Sequence, residues 1–446
     1  MVLTKEQLNI IICEKSMIVN AIAGTGKTTT LIEYAKERQG KEILYLVFNK
    51  DLRKSVRNKF PLNTTVHTVN SFIYKNLKEE FSLRDIVDNY SIYFFIDNFT
   101  DKNKHYDLRF EDAFGLMTRM NIFLDKSGDL FKDKEIEEIF NKIISNNKLQ
   151  LSHNILKKYF LLTADFSKFK YDIILIDEAQ DIDLIMLNII EKINAIKVFV
   201  GDKKQAIYGF RNAINIFNLE NPDYEKFSLT KSFRFNSDYS DFVAKVTKRA
   251  YNEDDFYMDG YGTMPCNIIH SKEDNLIGPH VVITRTNAFL FTRAFEAVEA
   301  GKKVSIPFNF EDVKYLMIDI LNLQMENFKN IRNHELKVFK SFDQFKASVK
   351  RGLNAEHGYI IKIIEEHGLN IVTILKKLEV NLVSPKYADI VFLTGHKSKG
   401  LEFDSVEVAD DFKNYNQCSM EEKNLFYVAI TRSRGNLKIN STLLLS

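Results

Sequence analysis

Ala21-Ile-Ala-Gly-Thr-Gly-Lys-Thr28 constrains the fold of this chain more than any other segment. It follows the apolar run Met17–Asn20 and precedes Leu31, Ile32 and Ala35, which recur at helical spacing. Strand, glycine turn and helix in that order read as one βα unit, which a parallel sheet flanked by helices must bury. Gly24 and Gly26 let the backbone turn inward, so the amides of Ala23, Gly24, Thr25, Gly26, Lys27, Thr28 and Thr29 can cradle phosphate oxygens at a helix N-terminus. Lys27 then reaches the outer phosphates, and Thr28 offers its hydroxyl to Mg²⁺. The plainer alternative is an ordinary strand-to-helix turn, and Ala21 stands where the general phosphate-loop pattern has Gly.

A second segment supplies what such a loop needs. In Ile173-Ile-Leu-Ile-Asp-Glu-Ala-Gln-Asp181, four apolar residues make a buried strand and two carboxylates emerge at its C-terminal end. Sheets of this class bind ligands at that end. Asp177 is suited to hold Mg²⁺ through water, and Glu178 to orient and deprotonate an attacking water. Read alone, the two acids could simply open a solvated loop. Beside a phosphate loop in the same chain, they point to hydrolysis of ATP.

Composition excludes some classes and leaves others open. A length of 446 residues predicts two to four domains, and 45% hydrophobic with 27% charged residues is the balance of a globular protein. Lys and Arg number 62 against 60 acidic residues, so a nucleic-acid partner would have to meet a local basic stripe. Cys13, Cys266 and Cys418 lie far apart without metal-ligand spacing, which fits unpaired thiols in a reducing compartment. The start, Met1 to Asn9, has no cleavable apolar core, and no apolar run reaches the ~20 residues of a membrane span. An intracellular protein without membrane contact is expected, cytoplasmic in a prokaryote or phage and nuclear in a eukaryote.

Ile43–Phe48, Ile173–Ile176 and Lys197–Val200 read as further buried parallel strands. From about Tyr74 to Asp165 the texture turns to Lys, Asp, Asn and Phe without strand-like runs, as in a helical insertion. A second α/β block follows Phe235, with Val281–Thr284 and Ile390–Thr394 as strands and Ala288–Ala300 as helix. Glu326 to Leu382 reads as another, smaller helical insertion.

Val198-Phe-Val-Gly-Asp-Lys-Lys-Gln-Ala-Ile-Tyr-Gly-Phe-Arg211 adds a further feature. Tyr208, Phe210 and Arg211 offer two ring faces and a cation, and stacking of a single-stranded base on such a ring contributes ~1–3 kcal/mol. The competing fate is packing of both rings in the core. Together with the two motifs above, this segment resembles superfamily 1 helicases of the UvrD/Rep type. So do Lys231-Ser-Phe-Arg-Phe235, Leu46-Val-Phe-Asn-Lys50, Thr65-Val-His-Thr68, Thr394-Gly-His-Lys-Ser-Lys-Gly-Leu-Glu-Phe403 and Leu425-Phe-Tyr-Val-Ala-Ile-Thr-Arg-Ser-Arg434.

The resemblance implies two RecA-like lobes with parallel sheets, each carrying a mostly helical insertion. The first lobe would comprise 1–75 and 160–235, with 76–159 inserted. The second would comprise 236–325 and 383–446, with 326–382 inserted. By the same resemblance Gln7 reads adenine, Phe233 stacks on it, Glu402 lies near the ribose, and Gln205 and Arg234 meet the γ-phosphate. Arg432 becomes the arginine finger; Arg434 is the other candidate, and a basic helix end favoured by the macrodipole the plain alternative for both. Phe48, Asn49, His67, Tyr208, Phe210, Arg211, His396 and Lys397 become the DNA contacts, with Phe210 where many relatives have Trp. The implied activity is an ATP- and Mg²⁺-dependent 3′→5′ DNA helicase, closing on ATP and reopening on hydrolysis to step along one strand.

Within that family the chain is most similar to the helicase core of F-box DNA helicases and their prokaryotic or viral relatives. Phe48-Asn-Lys50, Ile207-Tyr-Gly-Phe-Arg211, Ser232-Phe-Arg-Phe235, Lys399-Gly-Leu-Glu-Phe-Asp404 and Ala409-Asp-Asp-Phe412 carry that likeness. It implies a role in repair, recombination or replication. The partners expected are single-stranded DNA, tailed or forked duplexes, and recombinase filaments or replication and repair proteins, met by a monomer. Gln7 stands almost at the N-terminus and twelve residues follow Arg434, so neither an F-box nor a nuclease domain is expected. Two other readings stay open: a translocase that strips proteins from single strands without efficient unwinding, and a nucleotide-gated DNA-binding subunit of a nuclease or defence complex.

Overall fold

Short apolar runs form strands buried on both sides, as in Ile43–Val47 and Ile173–Asp177, and with more polar strands at other positions they assemble into two separate six-stranded parallel sheets. The computed structural model describes residues 3–48, 50–126, 133–209, 213–218, 221–270, 276–333, 335–351, 357–414 and 418–440. Asn49, Phe210 and Arg211 therefore lie outside the described residues. The chain divides into two compact units, Met1–Lys231 and Ser232–Ser446.

In the first unit the strand order is Thr64–Thr68, Ile43–Val47, Ile173–Asp177, Ile196–Gly201, Met17–Ala21, Glu225–Leu229. Every neighbouring pair is parallel. Consequently the glycine loop after Ala21, the acids after Ile176 and the segment after Gly201 all leave the same edge of the sheet. Helix Lys27–Lys36 buries Leu31, Ile32, Tyr34 and Ala35 against the strands, and these join Val19, Tyr45, Leu175 and Val200 in one core.

Between Thr68 and Ile173 the chain is helical, in segments Val69–Phe81, Ile92–Phe99, Tyr106–Asp125, Lys134–Ser145 and His153–Thr163. One two-residue parallel ladder, Ile86–Val87 with Leu151–Ser152, interrupts it. So short a ladder leaves no periodicity in the sequence. Arg84 pins this region by donating to the carbonyls of Ile143, Ile144 and Leu149. Those bonds satisfy helix-end and loop carbonyls.

In the second unit the order is Asn267–Ile269, Ser433–Ile439, Phe403–Val408, His280–Thr284, Ile390–Thr394, Val304–Ser305, again all parallel. Helices Phe310–Gln324, Phe342–Lys350, Gly358–His367 and Ile371–Asn381 bury Met317, Ile320, Phe345, Ile360, Ile364 and Leu375. These side chains share one core with Val282, Phe291 and Phe392, so the helical block is an extension of the sheet's own core. It begins at Phe310, where Asn309 caps the first helix, ahead of Glu326. No helix among the described residues is long and apolar enough to cross a membrane.

Candidate functional site

Gly24 and Gly26 both adopt positive φ, at 79° and 76°. An L side chain is disfavoured there, which is why the loop needs glycine at these two positions. Gly26 is the N-cap of helix Lys27–Lys36, so the loop's amides converge on the helix's positive end. Thr25 is buried and closes the loop by donating its hydroxyl to Ile22 O at 2.9 Å. Ala23 is buried, Thr29 half-buried, and Lys27 Nζ lies 3.5 Å from Ala21 O.

Thr28 Oγ1 donates to Asp177 Oδ2 at 2.7 Å across the sheet edge. Tyr45, from the neighbouring strand Ile43–Val47, donates its phenol to the same oxygen at 2.7 Å. Asp177 Oδ1 accepts from Glu178 N at 2.9 Å. Burial pushes the Asp177 carboxyl above the usual carboxylate range, the Glu178 charge adds to that, and the two hydroxyls and Lys27 oppose it. Such a buried carboxylate favours a cation. A carboxylate oxygen and a threonine hydroxyl in contact are also the hard-oxygen pair that Mg²⁺ takes alongside phosphates and waters. The donor set therefore fits Mg²⁺. Among the described residues no group of three or more His, Cys, Asp or Glu side chains is arranged for a metal, and a Mg²⁺ shared with phosphates requires none.

Glu178 sits in the left-handed region at φ 55°, an uncommon conformation for a residue with a side chain. Gln180 is 0% exposed and donates Nε2 to Glu178 Oε2 at 2.6 Å. Its Oε1 accepts from Asp202 N at 3.0 Å. A Cβ at Gly201 would fall 2.2 Å from that oxygen, so this strand end admits the amide only because residue 201 is glycine. Asp202 is buried too; its carboxyl is pushed up by burial and opposed by Lys27. It caps the next turn, accepting from Lys204 N at 3.0 Å and from Gln205 Nε2 at 2.8 Å.

Gln7 is buried. It forms a reciprocal capping box with Thr4 and turns Nε2 to Thr30 Oγ1 at 3.1 Å, beside the glycine loop. The first unit thus brings Gln7, Thr28, Asp177, Glu178 and Gln205 to one sheet edge.

In the first unit's expected DNA track, Phe48 and Tyr208 are half-buried. His67 is buried, with Nδ1 3.2 Å from Ser71 Oγ. Its pKa is lowered to about 4, by burial first and then by Lys75, Arg53 and Arg57, so the ring is neutral near pH 7. A neutral ring can hydrogen-bond or stack but does not neutralise a phosphate.

In the second unit, Arg234 donates to Thr431 O at 2.6 Å and pairs with the Glu402 carboxylate. Arg432 is 1% exposed, and Val428 O at 2.8 Å, Leu401 O at 3.2 Å and Thr431 Oγ1 at 3.0 Å engage its guanidinium. Arg434 is more open and pairs with Asp404 at 2.5 Å. Arg234, Glu402 and Arg432 therefore meet at one place, around Thr431. His396 is half-buried and Lys397 exposed on the short helix Gly395–Ser398, capped by Thr394. Phe233 is exposed beside Tyr261, with ring centroids 6.2 Å apart.

Tyr45, Gln180 and Tyr261 escaped the sequence reading. Gln180 lies inside the motif quoted for Asp177 and Glu178, so its position was in view but not its orientation. Tyr45 stands as the one ring with a polar tip in Ile43–Val47. Nothing local marks Tyr261.

Comparison with known proteins agrees with this geometry. Residues 4–211 match the family model of an AAA domain, and residues 389–439 match that of the UvrD-like helicase C-terminal domain. The chain is 27% identical to F-box DNA helicase protein 1 of Schizosaccharomyces pombe, over 99% of this chain and 58% of that protein. It is 26% identical to F-box DNA helicase 1 of Gallus gallus, over 99% of this chain and 49% of that protein. It therefore spans about half the length of these two relatives. Gabija protein GajB of Bacillus cereus is 26% identical over 95% of this chain and 92% of its own length. With the glycine loop, the Asp177–Glu178 pair and the two parallel sheets on which these matches fall, the chain belongs to the UvrD-like helicases of superfamily 1.

Proposed function

We propose that this chain is an ATP-dependent DNA helicase that moves 3′→5′ on single-stranded DNA. The observation that carries the reading is the cluster at one sheet edge: Thr28 on Asp177, with Glu178 held beside it by Gln180. The loop amides and Lys27 bind the phosphates, and Thr28 and Asp177 hold Mg²⁺. When bound, the ion neutralises charge developing on the transferred phosphoryl group. Glu178 orients a water for attack and accepts its proton. Gln205 senses the γ-phosphate, Gln7 and Phe233 contact the base, and Glu402 lies near the ribose. Arg234 and Arg432 supply the cations that answer the γ-phosphate, which requires each to leave the partners described above.

Single-stranded DNA meets Phe48, Asn49, His67, Tyr208, Phe210, Arg211, His396 and Lys397. Rings and cations of this kind grip a strand without reading its sequence. The kinship with F-box DNA helicases supports action on DNA, and a role in DNA repair, recombination or replication is the one proposed. Beside it stands a second reading, a nucleotide-gated DNA-binding subunit of a nuclease or defence complex, for which the likeness to Gabija protein GajB leaves room. ATPase activity with and without single-stranded DNA, followed by unwinding of 3′-tailed and 5′-tailed duplexes, tests the proposal. ATP hydrolysis that responds to DNA without unwinding or protein displacement would favour the subunit.

A further inference from the structure

Two large rings, Phe233 and Tyr261, stay exposed on tightly held backbone. Its neighbours Ser232 and Phe235 are buried, and Phe235 stacks on Tyr239 at 4.9 Å and 11°. Phe233 between them is 40% exposed. Alongside runs Gly260-Tyr261-Gly262. Tyr261 N donates to Ser232 O at 2.7 Å, and Gly262 N donates to Phe235 O at 2.6 Å. A Cβ at Gly260 would lie 2.2 Å from Asn236 O, and one at Gly262 would lie 2.7 Å from the Phe235 backbone. Backbone cannot give way as the end of a flexible side chain can, so both positions require glycine.

The ledge fixed in this way presents Tyr261, which is 50% exposed, with its ring tilted 54° to that of Phe233. Leaving both rings in water forgoes hydrophobic stabilisation that a purely structural ledge would keep. The two rings form an open corner, in which a flat ligand can lie on one face and meet the edge of the other. Arg234 on the Phe233 segment, and its partner Glu402 from just ahead of strand Phe403–Val408, offer a cation and a hydroxyl acceptor. A flat base bearing a sugar and phosphates matches that combination.

We propose that Tyr261 is a second base-contact residue, forming with Phe233 a two-ring corner for the adenine of ATP. This rests on the reading of Phe233 as the base platform. The chain contains no Trp, so Tyr261→Trp places a single indole at the corner and keeps an aromatic face there. ATP should quench its emission by about a third or more, while tripolyphosphate and oligo-dT change it by less than about a tenth. Tyr261→Ala should raise the KM for ATP about tenfold with kcat within about twofold, and Tyr261→Phe should restore the KM. Quenching by oligo-dT instead of ATP, or a KM unmoved by Tyr261→Ala while Phe233→Ala raises it, overturns the role of Tyr261 alone. A KM unmoved by Phe233→Ala overturns the base platform and the corner together.

Discussion

Gln180 donates its amide to the Glu178 carboxylate at 2.6 Å while accepting from the backbone of Asp202, so one buried side chain joins the end of Ile173–Asp177 to the end of Ile196–Gly201. The acid proposed to activate water is thereby fixed to the segment that also carries Gln205. Gln180→Met keeps the volume and removes both bonds. It should lower kcat for ATP about tenfold and leave the KM within about twofold, because orientation is lost while phosphate binding is not. A KM that rises as much as kcat falls would instead mark Gln180 as a general support of the fold.

Glu178→Gln is nearly isosteric and removes the proton acceptor. Turnover should drop by about a hundredfold or more, with ATP affinity retained. Lys27→Ala should lose ATP affinity itself. Equilibrium binding of a fluorescent ATP analogue, set beside steady-state hydrolysis, separates the two. Wild-type turnover in Glu178→Gln would remove it from the mechanism.

The neutral, buried His67 makes stability depend on pH. Its folded pKa of about 4 lies below the ordinary 6.5, so the unfolded chain takes up the proton more readily. Its contribution is complete above about pH 6.5 and is lost as pH falls towards about 4. Melting temperatures measured from about pH 7.5 down to about pH 5 should fall less steeply in His67→Gln than in the wild type. Parallel slopes would show that His67 titrates normally.

Lys397 is exposed, as a phosphate contact must be. Lys397→Ala should weaken binding to single strands of any sequence and reduce the slope of log affinity against log salt by about 0.7. An unchanged slope would place Lys397 away from the strand.

How much of this was legible in the sequence depended on distance along the chain. The glycine loop, the apolar run ending in Asp177 and Glu178, and the two α/β blocks are local patterns, so the fold class could be read from them. Strand order is not local. That Ile196–Gly201 lies between the strands bearing Ala21 and Asp177 depends on pairing across the whole first unit. The Tyr45 bond to Asp177 needs the register that sets Tyr45 opposite Leu175. Gln180 was visible, but its grip on Asp202 required knowing that Gly201 leaves room for it. Tyr261 depends on a ledge built by two glycines about thirty residues beyond Phe233, for which no residue pattern exists. Burial of Arg432 was equally hidden, since the carbonyls that hold it come from a helix end and from Leu401.

The central claim is that hydrolysis at the Thr28–Asp177–Glu178 cluster drives movement on DNA. The most direct measurement is ATP hydrolysis by the whole chain with and without single-stranded DNA, with Glu178→Gln as control, and strand displacement from 3′-tailed and 5′-tailed duplexes in the same preparation. The account predicts slow hydrolysis alone, a several-fold rise with DNA, loss of both in Glu178→Gln, and displacement from the 3′-tailed duplex only. Hydrolysis indifferent to DNA, or displacement that persists in Glu178→Gln, would contradict it.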